Sequence, residues 1–147
     1  HFAMPSTIAC RAADGLAYMQ RTHKHYDTLV IDAFIGEKIP PHMKGDAICQ
    51  AARRCLKPGG ALFMNVCLSD RADGTADKLA TRFQRNGWNI RILDTPRVTA
   101  RNAIVVAGRI DKLREPDLIV APEAGLRQLS KELGAMRFRE IRLLPGR

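Results

Sequence analysis

Two aspartates stand where an α/β chain can do chemistry. Asp32 closes the apolar run Thr28-Leu29-Val30-Ile31, and Asp14 closes the shorter run that begins at Thr7. A carboxylate at the end of an apolar strand costs free energy unless it is paired or put to use. Within about 3 Å of an amine, such a group can hold the ammonium form or accept its proton. The structural alternative for Asp32 is an acid bonded to loop amides. Asp14 also has two open roles. It can cap the helix that follows, or accept a hydrogen bond from an adenine amino group or a ribose hydroxyl. Spacing alone does not choose between them.

A third titratable group, His42, lies in Ile39-Pro40-Pro41-His42-Met43, a loop stiffened by two prolines. An imidazole there could assist proton transfer, or serve as a solvated or capping residue. His23 and His25 are two apart on an expected helix and so face different ways, which argues against a shared metal. Cys10, Cys49, Cys55 and Cys67 show no CxxC or CxxH spacing, so neither a metal site nor a redox dithiol is expected. With Cys10, Cys55 and Cys67 among apolar neighbours, reduced core thiols are expected.

These groups need elements to hold them. Thr7 to Ala12 reads as a strand, with a turn at Asp14-Gly15 and a helix over Leu16 to His25. Tyr26 to Phe34 is almost continuously apolar, as a central parallel strand buried on both faces would be. In Asp46 to Leu56 the apolar residues recur at helical spacing, and Lys57-Pro58-Gly59-Gly60 is read as an architectural turn into a strand from Ala61 to Leu68. Ala76 to Asn86 is a further helix. Trp88 to Leu93 and Asn102 to Arg109 are two strands joined by a short polar link, which predicts an antiparallel hairpin at one edge of a mostly parallel sheet. Leu118 to Val120 and a helical pattern from Glu123 to Leu133 end the readable part. His1-Phe2-Ala3 before Met4 is read as residue of an expression vector. The expected organisation is one α/β domain over residues 4–110 and an extension over 111–147.

A chain of 147 residues with 46% hydrophobic content can bury one compact core. No window approaches the roughly 18 uninterrupted apolar residues of a membrane span, so a soluble, cytoplasmic protein is expected. The net charge of +9 would suit a polyanionic partner, but the basic residues are scattered except for Arg137, Arg139, Arg142 and Arg147. Aromatic residues make up 5% of the chain, too few to interleave with them as a stacking platform, so nucleic acid is the less favoured partner.

Four motifs in order, Ala13-Asp14-Gly15, Ile31-Asp32-Ala33-Phe34, Ile39-Pro40-Pro41-His42 and Leu56-Lys57-Pro58-Gly59-Gly60, resemble the spermidine synthase-like branch of the S-adenosylmethionine-dependent methyltransferase superfamily. The match runs from about Thr7 to Arg109. The resemblance implies a Rossmann-like sheet, truncated on its N-terminal side. It implies that Asp14 and Gly15, and more weakly Pro40, contact the adenine of S-adenosylmethionine or its decarboxylated form, and that Asp32 orients and deprotonates an attacking amine. The small-molecule partner would then be an amine. Two departures stand out. The family's second acid, three residues after the catalytic one, is replaced by Ile35, and the family's glycine-rich loop would lie N-terminal to Thr7.

Two readings follow. One is a spermidine synthase-like transferase present as a fragment or truncated homologue, inactive alone. The other is a non-catalytic binding or assembly module that uses a basic surface, or pairs as a homodimer through an exposed sheet edge.

Overall fold

The computed structural model describes residues 7–142. The readings of residues 1–3 and of Arg147 therefore lie outside the described residues. Asp14 starts the first helix, α1 (Gly15–Arg21), by accepting the Ala17 N–H at 2.8 Å. That helix stops before the polar stretch Thr22 to His25, which has no apolar face to bury. β1 (Tyr26–Ile31) follows, then a short 3-10 turn (Pro41–Lys44) and α2 (Asp46–Cys55). α2 buries Ile48, Cys49, Ala51, Ala52 and Cys55, the stripe its spacing predicts.

β2 (Leu56–Leu68) carries its apolar residues on alternate positions, and α3 (Thr75–Arg85) returns across it with Ala76, Leu79, Ala80 and Phe83 inward. β3 (Ile90–Asp94) and β4 (Arg101–Gly108) form the expected hairpin. α4 (Leu126–Ala135) buries none of its residues, and β5 (Arg137–Arg139) is a strand that the sequence pattern does not announce.

The sheet runs in the order β1-β2-β4-β3-β5 and is mixed. β1 and β2 are parallel, while the β2–β4, β3–β4 and β3–β5 pairs are antiparallel. This corrects the expectation of a mostly parallel sheet with a hairpin at its margin. β1, β2 and β3 do share one direction, but β4 inserts between β2 and β3 and reverses both contacts.

Two further expectations fail for one reason. Thr7 to Ala12 forms no strand and is exposed, Cys10 included, so that cysteine is no core thiol. A strand without a neighbour has little to stabilise it. β1 is consequently the outer strand, exposed at Thr28 and, at 74%, at Val30, rather than a central strand buried on both faces. In the apolar stretch Leu118 to Val120, Ile119 is 97% exposed.

Helices α1, α2 and α3 cover one face of the sheet, over Ile31, Leu62, Met64, Val66, Val105 and Ile92. The other face is more open, with Phe63, Asn65 and Cys67 of β2 half-buried beside Val30. The helix-covered side closes on a buried ion network. Arg101 grips Asp94 with Nε and Nη2 at 2.7 and 3.2 Å, and Arg139 from β5 donates to Asp94 at 2.9 Å and to both oxygens of Asp77 at 2.7 and 3.0 Å. The Arg142 N–H adds a bond to Asp77 at 2.7 Å.

Burial pushes the Asp94 carboxyl up, but the bonds from Arg101 and Arg139 outweigh it and hold the group below the usual range. Its contribution to stability is thus complete above the ordinary carboxylate pKa of about 3.9 and is lost as pH falls through the lower folded value. Arg139→Met should destabilise the chain by about 3 kcal/mol in urea unfolding at neutral pH, because Asp77 keeps a buried charge without its partner. Adding Asp77→Leu should recover most of the loss. A single-variant loss under about 0.5 kcal/mol, the size expected of an ordinary surface change, would refute this role.

Candidate functional site

Asp32 follows the last residue of β1, and the register Ile31↔Met64 sets it beside Asn65 on the open face. The Asn65 Nδ2 donates to Asp32 Oδ1 at 2.9 Å. Asp32 is exposed, and among the described residues its Oδ2 accepts no hydrogen bond. Nearby acids at the same end of the sheet are already engaged. Asp73 accepts from the Ser69 N–H and hydroxyl and from the Thr75 N–H and hydroxyl, and Asp70 accepts from Ala72 and Ser69. Burial raises the Asp73 carboxyl, and those donors together bring it down to about 2. Asp73 is therefore a loop-building anion, whereas Asp32 has an oxygen that accepts no bond among the described residues.

Asn65 also has a buried Oδ1 without a hydrogen-bond partner among the described residues. Such an orphan acceptor is uncommon and calls for an explanation. An acceptor next to a carboxylate forms a pair suited to an N–H or ammonium donor. Cys67 lies two residues further along the same face. Burial raises its thiol, and the negative charges of Glu37 and Asp32 raise it further. Glu37 comes from a tight turn closed by the Ile35–Lys38 bridge, with Gly36 at φ 62. The position after Asp32 that lacks the expected acid, Ile35, is 72% exposed.

Asp14 proves to be the helix cap, and more. With Oδ1 taken by Ala17, its Oδ2 meets His42 Nε2 at 2.9 Å. The Ala17 bond lowers its pKa most; burial opposes this, and His42 lowers it further. His42 stands in the 3-10 turn of the loop that leaves Asp32, so the contact ties the start of α1 to the carboxyl end of β1. Asp14 and Asp32 are linked through that loop; no direct hydrogen bond joins them among the described residues. Gly15 opens α1, and a Cβ there would meet only Met43 at 3.9 Å, so no close packing demands glycine. Pro40 is buried, and its carbonyl accepts the Met43 N–H at 3.0 Å.

No protein-family model matches the sequence. Over 106 residues, 69% of the chain, the sequence is 29% identical to a probable polyamine aminopropyl transferase of Bifidobacterium longum. The chain is similar to part of a polyamine aminopropyl transferase. It spans 23% of the length of that relative. In three dimensions it aligns with a probable spermidine synthase from Corynebacterium glutamicum at a TM-score of 0.61 and 14% identity, covering 89% of this chain and 48% of the other. That second likeness is one of fold: the five-stranded mixed sheet with its helices matches part of a spermidine synthase.

Similarity to part of an aminopropyl transferase agrees with the family resemblance read from the sequence. Sequence reasoning missed Asn65 and Glu37. Asn65 had a readable signal, since it is the lone amide in the apolar run Ala61 to Leu68. Glu37 had none, because only the fold of its turn brings it toward Cys67. Among the described residues there is no cluster of acids, histidines and cysteines able to hold a metal, and no helix long and apolar enough to cross a membrane.

Proposed function

We propose that the chain carries the amine-acceptor side of a spermidine synthase-like transferase site, for aminopropyl or methyl transfer, and that it is inactive by itself. The observation that carries this reading is Asp32, with Oδ1 held by Asn65 and Oδ2 accepting no bond among the described residues, at the carboxyl end of a strand where open α/β sheets bind ligands. In the reaction, the amine nitrogen attacks a carbon next to a sulfonium. The C–S bond breaks, its electron pair stays on sulfur as a neutral thioether, and the amine gives up a proton that Asp32 is placed to accept. Catalysis would come mainly from orientation and from matching charge at the amine.

The donor would be S-adenosylmethionine or its decarboxylated form, which supplies the activated carbon when bound. Asp14 suits the adenine amino group once His42 gives up its Oδ2, and Gly15 and Pro40 stand on either side of that contact in the chain. Glu37 takes over the work of the acid missing at Ile35, holding the far ammonium of a diamine. Support comes from the aminopropyl transferase similarity and from the exposed Asp32 carboxylate that Asn65 orients.

A second reading, assembly through the β1 edge, is favoured by one observation: β1 is the outer strand and Val30 is 74% exposed on it. The two readings are compatible, since an open edge and an open face are what a partial site would present.

Equilibrium dialysis with radiolabelled putrescine tests the first reading. The chain should bind the diamine, and Asp32→Asn should weaken binding about tenfold, the loss of one charged partner. Equal affinity of the variant would sink it. For the second, analytical ultracentrifugation should show concentration-dependent dimers that Val30→Lys abolishes; a monomer at every concentration would remove that reading.

A further inference from the structure

The far end of the sheet holds a cavity of ≈ 560 Å³ that the transferase reading does not use. It forms along the first residues of β2, of which the nearest to Asn65 is Gly60, five residues before it, so it lies about 17 Å or more from the Asp32 site by strand rise. Its volume falls in the range of roughly 300–1,000 Å³ usual for small-molecule sites. Arg53, Lys57 and Arg109 line it, with Asp111 as the acid among its walls. We propose that this cavity binds a phosphate-bearing ligand of nucleotide size, with Arg109 and Arg53 meeting the phosphate oxygens.

Three features carry the assignment. The first is charge. Lys57 is already paired with Asp27 at 2.8 Å, but no carboxylate bonds to Arg53 or Arg109 among the described residues. Arg53 donates to the Asn86 carbonyl at 2.9 Å and lies 4.7 Å from the Trp88 ring centre, which leaves other N–H groups of its guanidinium for an anion. Arg109 is exposed and extends over Gly59, where a Cβ would meet its Cδ and Nη1 at 3.6 Å.

Bare backbone is the second. Gly59 has φ 83 and Gly108 φ 113, and a Cβ on Gly108 would come within 2.5 Å of the Gly60 oxygen. The main chains of β1, β2 and β4 therefore approach closely here, and this part of the cavity wall is bare backbone with the Arg109 side chain lying over Gly59. Glycine walls of this kind let an oxyanion come close to the backbone.

The third is Trp88, a wall of the cavity that is 8% exposed, whose Nε1–H is buried without an acceptor among the described residues. A buried indole N–H normally finds a partner. An oxyanion in the cavity would lie beside the Arg53 guanidinium that covers this ring. Phe83, edge-on at 5.8 Å, fixes the indole from the core side.

Trp88 is the one tryptophan of the chain, so its emission reports on the wall of this cavity without interference from another indole. Titration with ADP and with inorganic pyrophosphate at low salt should give a saturable change in Trp88 emission. Arg109→Glu, on an exposed side chain, should weaken it about tenfold or more while the thermal midpoint holds, and added salt should weaken it as well. Asp32→Asn should leave it unaltered, which separates this site from the proposed transferase site. A response to both ligands marks the phosphates as the main contact, and a response to ADP alone adds the nucleoside to it. The proposal is overturned by an absent or linear response to both ligands, by equal affinity in Arg109→Glu, or by adenosine binding as tightly as ADP.

Discussion

The parallel pairing of β1 with β2 is the constraint on which both ends of the molecule depend. At the carboxyl end its register puts Asp32 beside Asn65. At the amino end the register shifts between Tyr26 and Thr28, so that Lys57-Pro58-Gly59-Gly60 bulges out opposite Asp27. Gly60 is needed there, since a Cβ would sit 2.9 Å from the Asp27 carbonyl oxygen. One strand pair thus sets the acid of the candidate transferase site and the glycine wall of the basic cavity. A one-residue slip would send Asp32 to the helix-covered face, where an unpaired carboxylate would be costly.

The other half of the sheet is held by different means. β3, β4 and β5 are joined through Asp94, Arg101, Asp77 and Arg139, four charges that satisfy each other with little access to water. Such a network adds less net stability than its bond count suggests, because desolvation opposes the attraction. Its effect is on position: β5 can dock only where Arg139 reaches both Asp77 and Asp94. The helices that follow the apolar spacing need no such device. The last strand is three residues long and buries none of them fully, so it depends on one.

Much of this was legible in the residues. The apolar stripes of α2 and α3 and the β3–β4 hairpin follow from local pattern, because each rests on periodicity. What escaped depended on partners distant in sequence. Thr7 to Ala12 looks like a strand by composition, yet strand formation needs a neighbour. The apolar run of β1 suggested burial on both faces, yet Val30 faces outward because no element covers it. The sheet is mixed through the insertion of β4, a topological fact that no window of residues reports. β5 was hidden in a basic stretch whose arginines look solvated until Asp77 and Asp94, 62 and 45 residues away, are seen to receive Arg139. Asp14 had two readings, and the structure gives it the cap while leaving its second oxygen on His42.

The account stands on Asp32 and Asn65 acting together as an acceptor pair for an amine. The side-chain amide resonances of Asn65, followed by nitrogen-edited magnetic resonance during titration with putrescine, report on that pair directly. The account predicts a saturable shift of the Asn65 amide pair that vanishes in Asp32→Asn, with the Trp88 indole signal unmoved. A diamine that binds while the Asn65 amide stays still would contradict it.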